Sequence, residues 1–217
     1  MRPLKELINE DDSAWPLVKE WIANSKVDVS ILECALSIRE KALIDTQVTT
    51  RSPMGAIVHQ CAGLLIDFGW LRILGAGGHD RFQRSLPDWN RDRANGFYLV
   101  ADDAVGGFFA INGGALGDDI RTVYYFAPDS LRWESCKMGY TDFLTWAMSE
   151  RLNQFYESIR WPMWKDEVKS ISADQVIGIY PFLFTTGVPI MERHRGVVPV
   201  SEQYSLQFDL KKQLDGE

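Results

Sequence analysis

The chain has 217 residues, 46% of them hydrophobic and 24% charged. Those are the proportions of a globular protein that can bury a core without disulfide or metal staples. Thirty acidic against 23 basic side chains give a formal net charge of −7, which argues against a nucleic-acid partner and an anionic membrane and favours a cationic one. Cys34, Cys61 and Cys136 are odd in number and far apart, so no disulfide framework is expected. The charged opening MRPLKELINEDD does not read as a leader, so none is expected, and no run reaches the ~18 apolar residues that span a bilayer. A cytoplasmic protein is expected.

The first part of the chain reads as helical. Leu4, Leu7 and Ile8 form a short stripe; Ala14, Val18, Trp21 and Ile22 a second; Ile31, Ala35, Ile38 and Ala42 a third. The spacing predicts helices over 3–9, 13–24 and 30–45, with Ser13 as an N-cap and Pro16 in the first turn. From Gly55 the pattern turns to strands: AIVHQ and GLLIDF read as a pair, and WLRILG as another. A polar, turn-rich segment follows, AGGHDRFQRSLPDWNRDRANG, read as a long surface loop. FYLVAD and GGFFAIN read as strands joined by an acidic turn, and TVYYFAPDSLRWE as two more around Pro128-Asp129. Tyr140, Phe143, Leu144, Ala147 and Met148 restore a helical face, with Thr141 a candidate cap, and Trp161-Pro162 is a helix break. VIGIYPFLFT is expected to pack on the sheet, and the alternation of Tyr204, Leu206, Phe208 and Leu210 predicts a half-buried strand.

Short strands at hairpin spacing between helical ends define the expected fold as α+β, a mainly antiparallel sheet flanked by N-terminal and C-terminal helices. One domain is expected over 1–217: a helical part to residue 46, a sheet core with a helix over 47–150, and an extension over 151–217.

The glycines raise the question of a phosphate loop. In ILGAGGHDRF the third glycine position of a dinucleotide fingerprint falls on Asp80, which would repel pyrophosphate. VGGFFAINGGALG lacks the closing Gly-Lys-Ser/Thr. Turn geometry is the better reading: positive φ at Gly113 and Gly114 beside Asn112, and a bulge or close approach at Gly106-Gly107. His59, His79 and His194 complete no metal motif, so no metal and no cofactor are expected. His59 and Cys61, two apart, would share a face if their segment were a strand. Asp102-Asp103 and Asp118-Asp119 are acidic pairs expected in solvated turns. Trp89 and Trp133 lie in polar stretches, where aromatic side chains anchor loops or recognise partners.

VTTRSPMGAIV, GWLRILGAG, LPDWN, VGGFFAINGG, VYYFAPDSLRWE, MGYTDFLTWAM, QFYESIRWPMW and YPFLFT together resemble an uncharacterised bacterial family, a domain of unknown function. The likeness covers most of the chain before about Thr186. The order of an acidic turn, GGFFAI, VYYF and the aromatic helix YTDFLTWAM is also similar to the SUKH superfamily, over Gly55 to Met148. That resemblance implies a small α+β fold with a curved sheet. It also implies a role shared by many bacterial members, immunity proteins that bind and neutralise toxins without shared catalytic residues. The expected function is therefore a non-catalytic protein-binding module, immunity-like or regulatory, with a protein partner such as a basic toxin. Trp89, Asp102, Asp103, Asn112 and Trp133 are its candidate contacts. The alternatives are an enzyme or small-ligand protein whose site, combining His59, Cys61 and acids brought together by folding, is not readable from motifs, and a structural subunit.

Overall fold

The computed structural model describes residues 1–93 and 95–216. The chain runs α1 (Leu4–Leu7), α2 (Trp15–Ala23), β1 (Val29–Leu32), α3 (Leu36–Thr46), α4 (Pro53–Gln60), β2 (Gly63–Ile66), β3 (Leu71–Leu74) and α5 (Leu86–Asn90). The meander continues with β4 (Phe97–Asp103), β5 (Phe108–Asn112), β6 (Thr122–Ala127) and β7 (Arg132–Gly139). Then come α6 (Tyr140–Ala147), α7 (Arg151–Tyr156), α8 (Trp164–Ser170), β8 (Gln175–Tyr180), β9 (His194–Pro199) and α9 (Val200–Asp215). Strands β1 to β7 form one seven-stranded antiparallel sheet in sequence order, and β8 pairs with β9 in a separate two-stranded sheet. The fold is α+β.

Three expectations are corrected. AIVHQ is not a strand: it lies in α4. Ser52 accepts the Gly55 N–H at 3.1 Å and Pro53 occupies the first turn, so the local start signal outweighs the β-branched residues behind it. Cys61 therefore ends a helix, its N–H donating to Ile57 O at 3.0 Å, and shares no strand face with His59. The helix expected over 30–45 begins only at Leu36, because Val29–Leu32 pairs with Gly63–Ile66 as an outer strand. The strand expected at 204–210 lies within helix α9, whose buried positions Val200, Gln203, Tyr204 and Gln207 follow helical spacing. Two of those four are glutamines, so the apolar pattern showed only the accidental alternation.

The central strands carry the core. β2 and β3 are buried throughout, and Phe108, Phe109 and Phe126 are fully covered. Helix α9 lies across β5 and β6, with Phe208 stacked on Phe126 at 4.6 Å and Tyr204 edge-on to Phe108 at 5.0 Å. The small sheet joins the large one where Ile177 N donates to Ala104 O at 2.7 Å. This docking point is the turn between β4 and β5, where Gly106 adopts φ 89°.

Gly107 in that turn is a close approach, as expected. A Cβ there would overlap Asp103 Oδ2 and the Tyr125 hydroxyl. In the other glycine turn, Gly114 takes φ 116° while Gly113 does not have positive φ. Gly107→Ala should destabilise the protein by roughly 1–3 kcal/mol, the usual cost of overpacking. Urea unfolding of the variant measures this, and an unchanged midpoint would show that the turn yields freely.

Candidate functional site

Arg72 sits at the middle of the large sheet, 1% exposed, directly opposite Asp102 in the β3–β4 register. A buried guanidinium is tolerable only if its charge and donors are matched. Here Nη1 donates to Asp102 Oδ1 at 3.1 Å and to Asp103 O at 3.0 Å, Nε to Gly69 O at 2.9 Å and Nη2 to Gln175 O at 3.0 Å. The last bond ties the small sheet to the large one. Burial still pulls the Arg72 pKa below its ordinary value, and Asp102 opposes that pull.

The charges continue outward. Asp102 Oδ2 lies 2.5 Å from Arg84 Nη2, and Arg84 Nε lies 3.3 Å from Asp174 Oδ1. Arg84 Nη2 also donates to Ala173 O at 2.7 Å. The chain Arg72–Asp102–Arg84–Asp174 thus leads from the sheet centre to the surface. It ends in a groove of about 520 Å³ whose lining includes Arg84, Trp89, Arg93, Asp174, Val200 and Ser201. Trp89 has guanidinium carbons of Arg84 and Arg93 at 4.7 and 4.1 Å from its ring, within cation–π range. Tyr204 meets its ring edge-on at 5.8 Å. A larger groove of about 600 Å³ beside Trp146 is lined by exposed and half-buried side chains with no comparable internal support.

Asp103, adjacent to Asp102, serves a different network. Its Oδ1 accepts the N–H groups of Val105 at 3.0 Å and Gly107 at 2.8 Å, and its Oδ2 accepts the hydroxyls of Tyr125 at 2.7 Å and Tyr156 at 3.1 Å. Complete burial pushes its pKa up, and these hydrogen bonds pull it partly back. The same burial raises Tyr125 and Tyr156. Asn112 closes the β5–β6 connection: Nδ2 donates to Gly117 O and Asp119 O, and Oδ1 accepts from Gly114 N and Leu116 N. Trp133 is half-buried, with Phe97 and Phe126 each at 5.3 Å.

Of the five candidate contact residues, then, the structure brings only Trp89 to the groove. Asp102 reaches it through Arg84. Asp102 and Asp103 are not solvated turn residues; both are fully buried. Asn112 is likewise buried and consumed by its own turn. Arg84, Arg93 and Asp174 were not singled out by sequence reasoning. The one signal was the cluster of arginines around LPDWN, because nothing local links Asp174 to a loop some ninety residues earlier.

In Gly75–Gly78 the backbone donors are used within the fold: Ala76 N donates to Cys61 O and Gly77 N to Ala62 O, both at 2.9 Å, and Gly78 N to Gln83 O at 3.1 Å. Among the described residues no group of three or more His, Cys, Asp or Glu side chains could hold a metal ion, and no helix is long and apolar enough to cross a membrane.

Fold and site define an α+β protein with a polar spine and an arginine-flanked indole groove. The chain belongs to the family described as "Protein of unknown function DUF2625", which matches residues 4–203. It is 42% identical over 215 residues to "Putative uncharacterized protein YbfG" of Escherichia coli (strain K12), covering 98% of both chains. It is 35% identical over 223 residues to an "Uncharacterized protein" of Haemophilus influenzae, covering 99% of this chain and 97% of the relative. No solved structure matches it.

Asp102→Ala should destabilise the fold by about 3–5 kcal/mol, because it strands two buried guanidiniums at once; a loss under 1 kcal/mol in urea unfolding would show the spine to be dispensable. Asp103 gives a test in pH. A carboxyl whose folded pKa lies above its ordinary 3.8 holds its proton longer in the folded state. Stability therefore falls as pH rises through that window. The stability advantage of the wild-type protein over Asp103→Asn should shrink as pH rises above 3.8, and a flat difference would contradict the raised pKa.

Proposed function

We propose that the protein is a non-catalytic module that binds another protein through the Trp89 groove. The observation that carries this reading is the indole flanked by Arg84 and Arg93 at the outer end of a buried charge chain. Tryptophan and arginine dominate the energetics of protein recognition because they combine a large apolar surface with directional donors. Here both are held by the fold before any partner arrives, so little ordering cost remains to be met on binding. Asp102 acts as a positioning residue, fixing Arg84 rather than touching the partner.

The SUKH resemblance and the antiparallel sheet with flanking helices support a partner of the toxin type. The net charge of −7 supports a basic one. In this reading the protein acts in the cytoplasm by covering the partner's working surface, and Asp103, Asn112 and Trp133 keep the platform rigid.

A photo-crosslinking residue placed at Ser201, on the groove rim, tests this in the native host. It should yield a discrete protein adduct that Arg93→Glu abolishes, while the same residue at exposed Ile120 yields none. No adduct at Ser201, or the same adduct from both positions, would remove the groove from the function.

A further inference from the structure

The turn between β2 and β3 carries three successive residues in the left-handed region: Asp67 at φ 49°, Phe68 at φ 61° and Gly69 at φ 91°. Only the last is a glycine, so the first two hold a conformation that side chains disfavour. The fold over-determines this turn. Asp67 N donates to Asp28 O at 2.7 Å, the Asp67 carboxylate meets Arg160 at 2.6 Å, and Gly69 O accepts from Arg72 Nε at 2.9 Å. Phe68 is thereby fixed, half-buried, at the surface.

Two ammonium groups converge on its ring. Lys165 Nζ lies 4.8 Å and Lys169 Nζ 4.2 Å from the centroid, within cation–π range. Both stand on α8, four residues apart, where like charges repel. Lys165 also lies in the first turn, where the helix dipole disfavours a cation; the dipole accounts for Lys169 in the last turn and not for Lys165. A third cation comes from the loop before α5, where Arg81 Nη2 donates to Lys169 O at 3.2 Å. Among the described residues none of the three lies in an ion pair, not even with Asp166, three positions before Lys169. A short helix that breaks two charge rules at once, with no internal counter-ion, is arranged for a group that the chain does not itself supply.

All three cations are exposed, so a solute reaches them. Arg81 and Lys169 line a hollow of about 370 Å³ with Asp28, Ser30, Leu65 and Phe68, and Lys165 reaches over the Phe68 wall. Guanidinium and ammonium groups donate and cannot accept, so the ligand brings acceptor oxygens. Its charge follows from the balance. Three cations against the one acid of the hollow, Asp28, leave two positive charges, which a dianion matches and a carboxylate does not. A phosphorylated hydroxyl carries about −1.5 to −2 charge at neutral pH and three acceptor oxygens.

We infer that the hollow beside Phe68 binds a dianionic phosphate group, free or as the monoester of a small molecule, through Arg81, Lys165 and Lys169. It shares no lining residue with the Trp89 groove and does not rest on that groove's role.

The test follows the backbone amides of Ser30, Phe68 and Lys169 in 15N-labelled full-length protein at neutral pH. The probes are sodium phosphate, sodium glycerol phosphate, sodium acetate and sodium chloride at matched ionic strength. The three amides should move saturably with phosphate and glycerol phosphate, more weakly with acetate, and not with chloride. Arg81→Gln, Lys165→Gln and Lys169→Gln should each weaken phosphate binding about two- to fivefold, the size of one exposed ion pair. Asp28→Asn should tighten it by about the same factor. All four positions are exposed, and the remaining amides report that each variant is folded.

Tighter binding of the ester than of free phosphate extends the site to the organic part of the ligand; equal binding confines it to the phosphate group. Shifts that follow ionic strength alone, acetate bound as tightly as phosphate, or an affinity that the three Gln variants leave unchanged: any of these overturns the inference. So does an affinity that Asp28→Asn lowers or does not move, because the phosphate would then sit away from the hollow.

Discussion

The structure depends on a positive charge buried at the centre of its sheet. Arg72 stands on a strand whose other residues are apolar, and its guanidinium reaches Asp102 beside it, the Gly69 carbonyl behind it and the Gln175 carbonyl of the second sheet. Two apolar side chains in place of Arg72 and Asp102 could be as stable, since desolvation offsets most of what a buried ion pair contributes. What apolar side chains could not do is fix the direction in which one sheet faces the other. The four donated bonds have definite geometry, and their acceptors lie on β3, β4 and β8 or the turns beside them.

That constraint divides the polar interior into two branches at the adjacent residues Asp102 and Asp103. On a strand, neighbours point to opposite faces. Asp102 faces Arg72 and Arg84 and leads to the groove. Asp103 turns the other way, to Tyr125 and Tyr156, and closes the glycine turn that carries the second sheet. A further buried guanidinium, Arg160, meets Asp67 at 2.6 Å beneath the rings of Trp70, Tyr156 and Trp164 and pins the helical segment after α7 to the same core. Four of the eight tryptophans, Trp70, Trp89, Trp161 and Trp164, pack with an arginine or lysine over the ring.

The sequence made the antiparallel middle of the molecule legible because its strands alternate with short turn signals, so β4 to β7 follow the hairpin pattern closely. It misled where a polar residue fills a core position. Gln203 and Gln207 are buried on α9 but read as solvent-facing, which leaves Tyr204, Leu206, Phe208 and Leu210 to imitate a strand. The same blindness hid the site. Asp102 and Asp103 look like a solvated acidic turn, because nothing local announces that Arg72, thirty residues earlier, lies directly opposite. Trp89 was legible as an aromatic in a polar loop; its arginine neighbours were visible as charges, but their pairing with Asp174 is a product of the fold.

Stability and the shape of the groove are therefore coupled at one end of the groove and separable at the other. Arg84 is held by Asp102 and Asp174, so a change at any of the three moves the wall and weakens the core together. Arg93 and Ser201 stand outside the charge chain, on the rim. A family that kept the chain intact while varying the rim could change what it binds without risking the fold. In that division, the buried ions set where the indole and its flanking guanidiniums sit, and the exposed positions shape the rim around them.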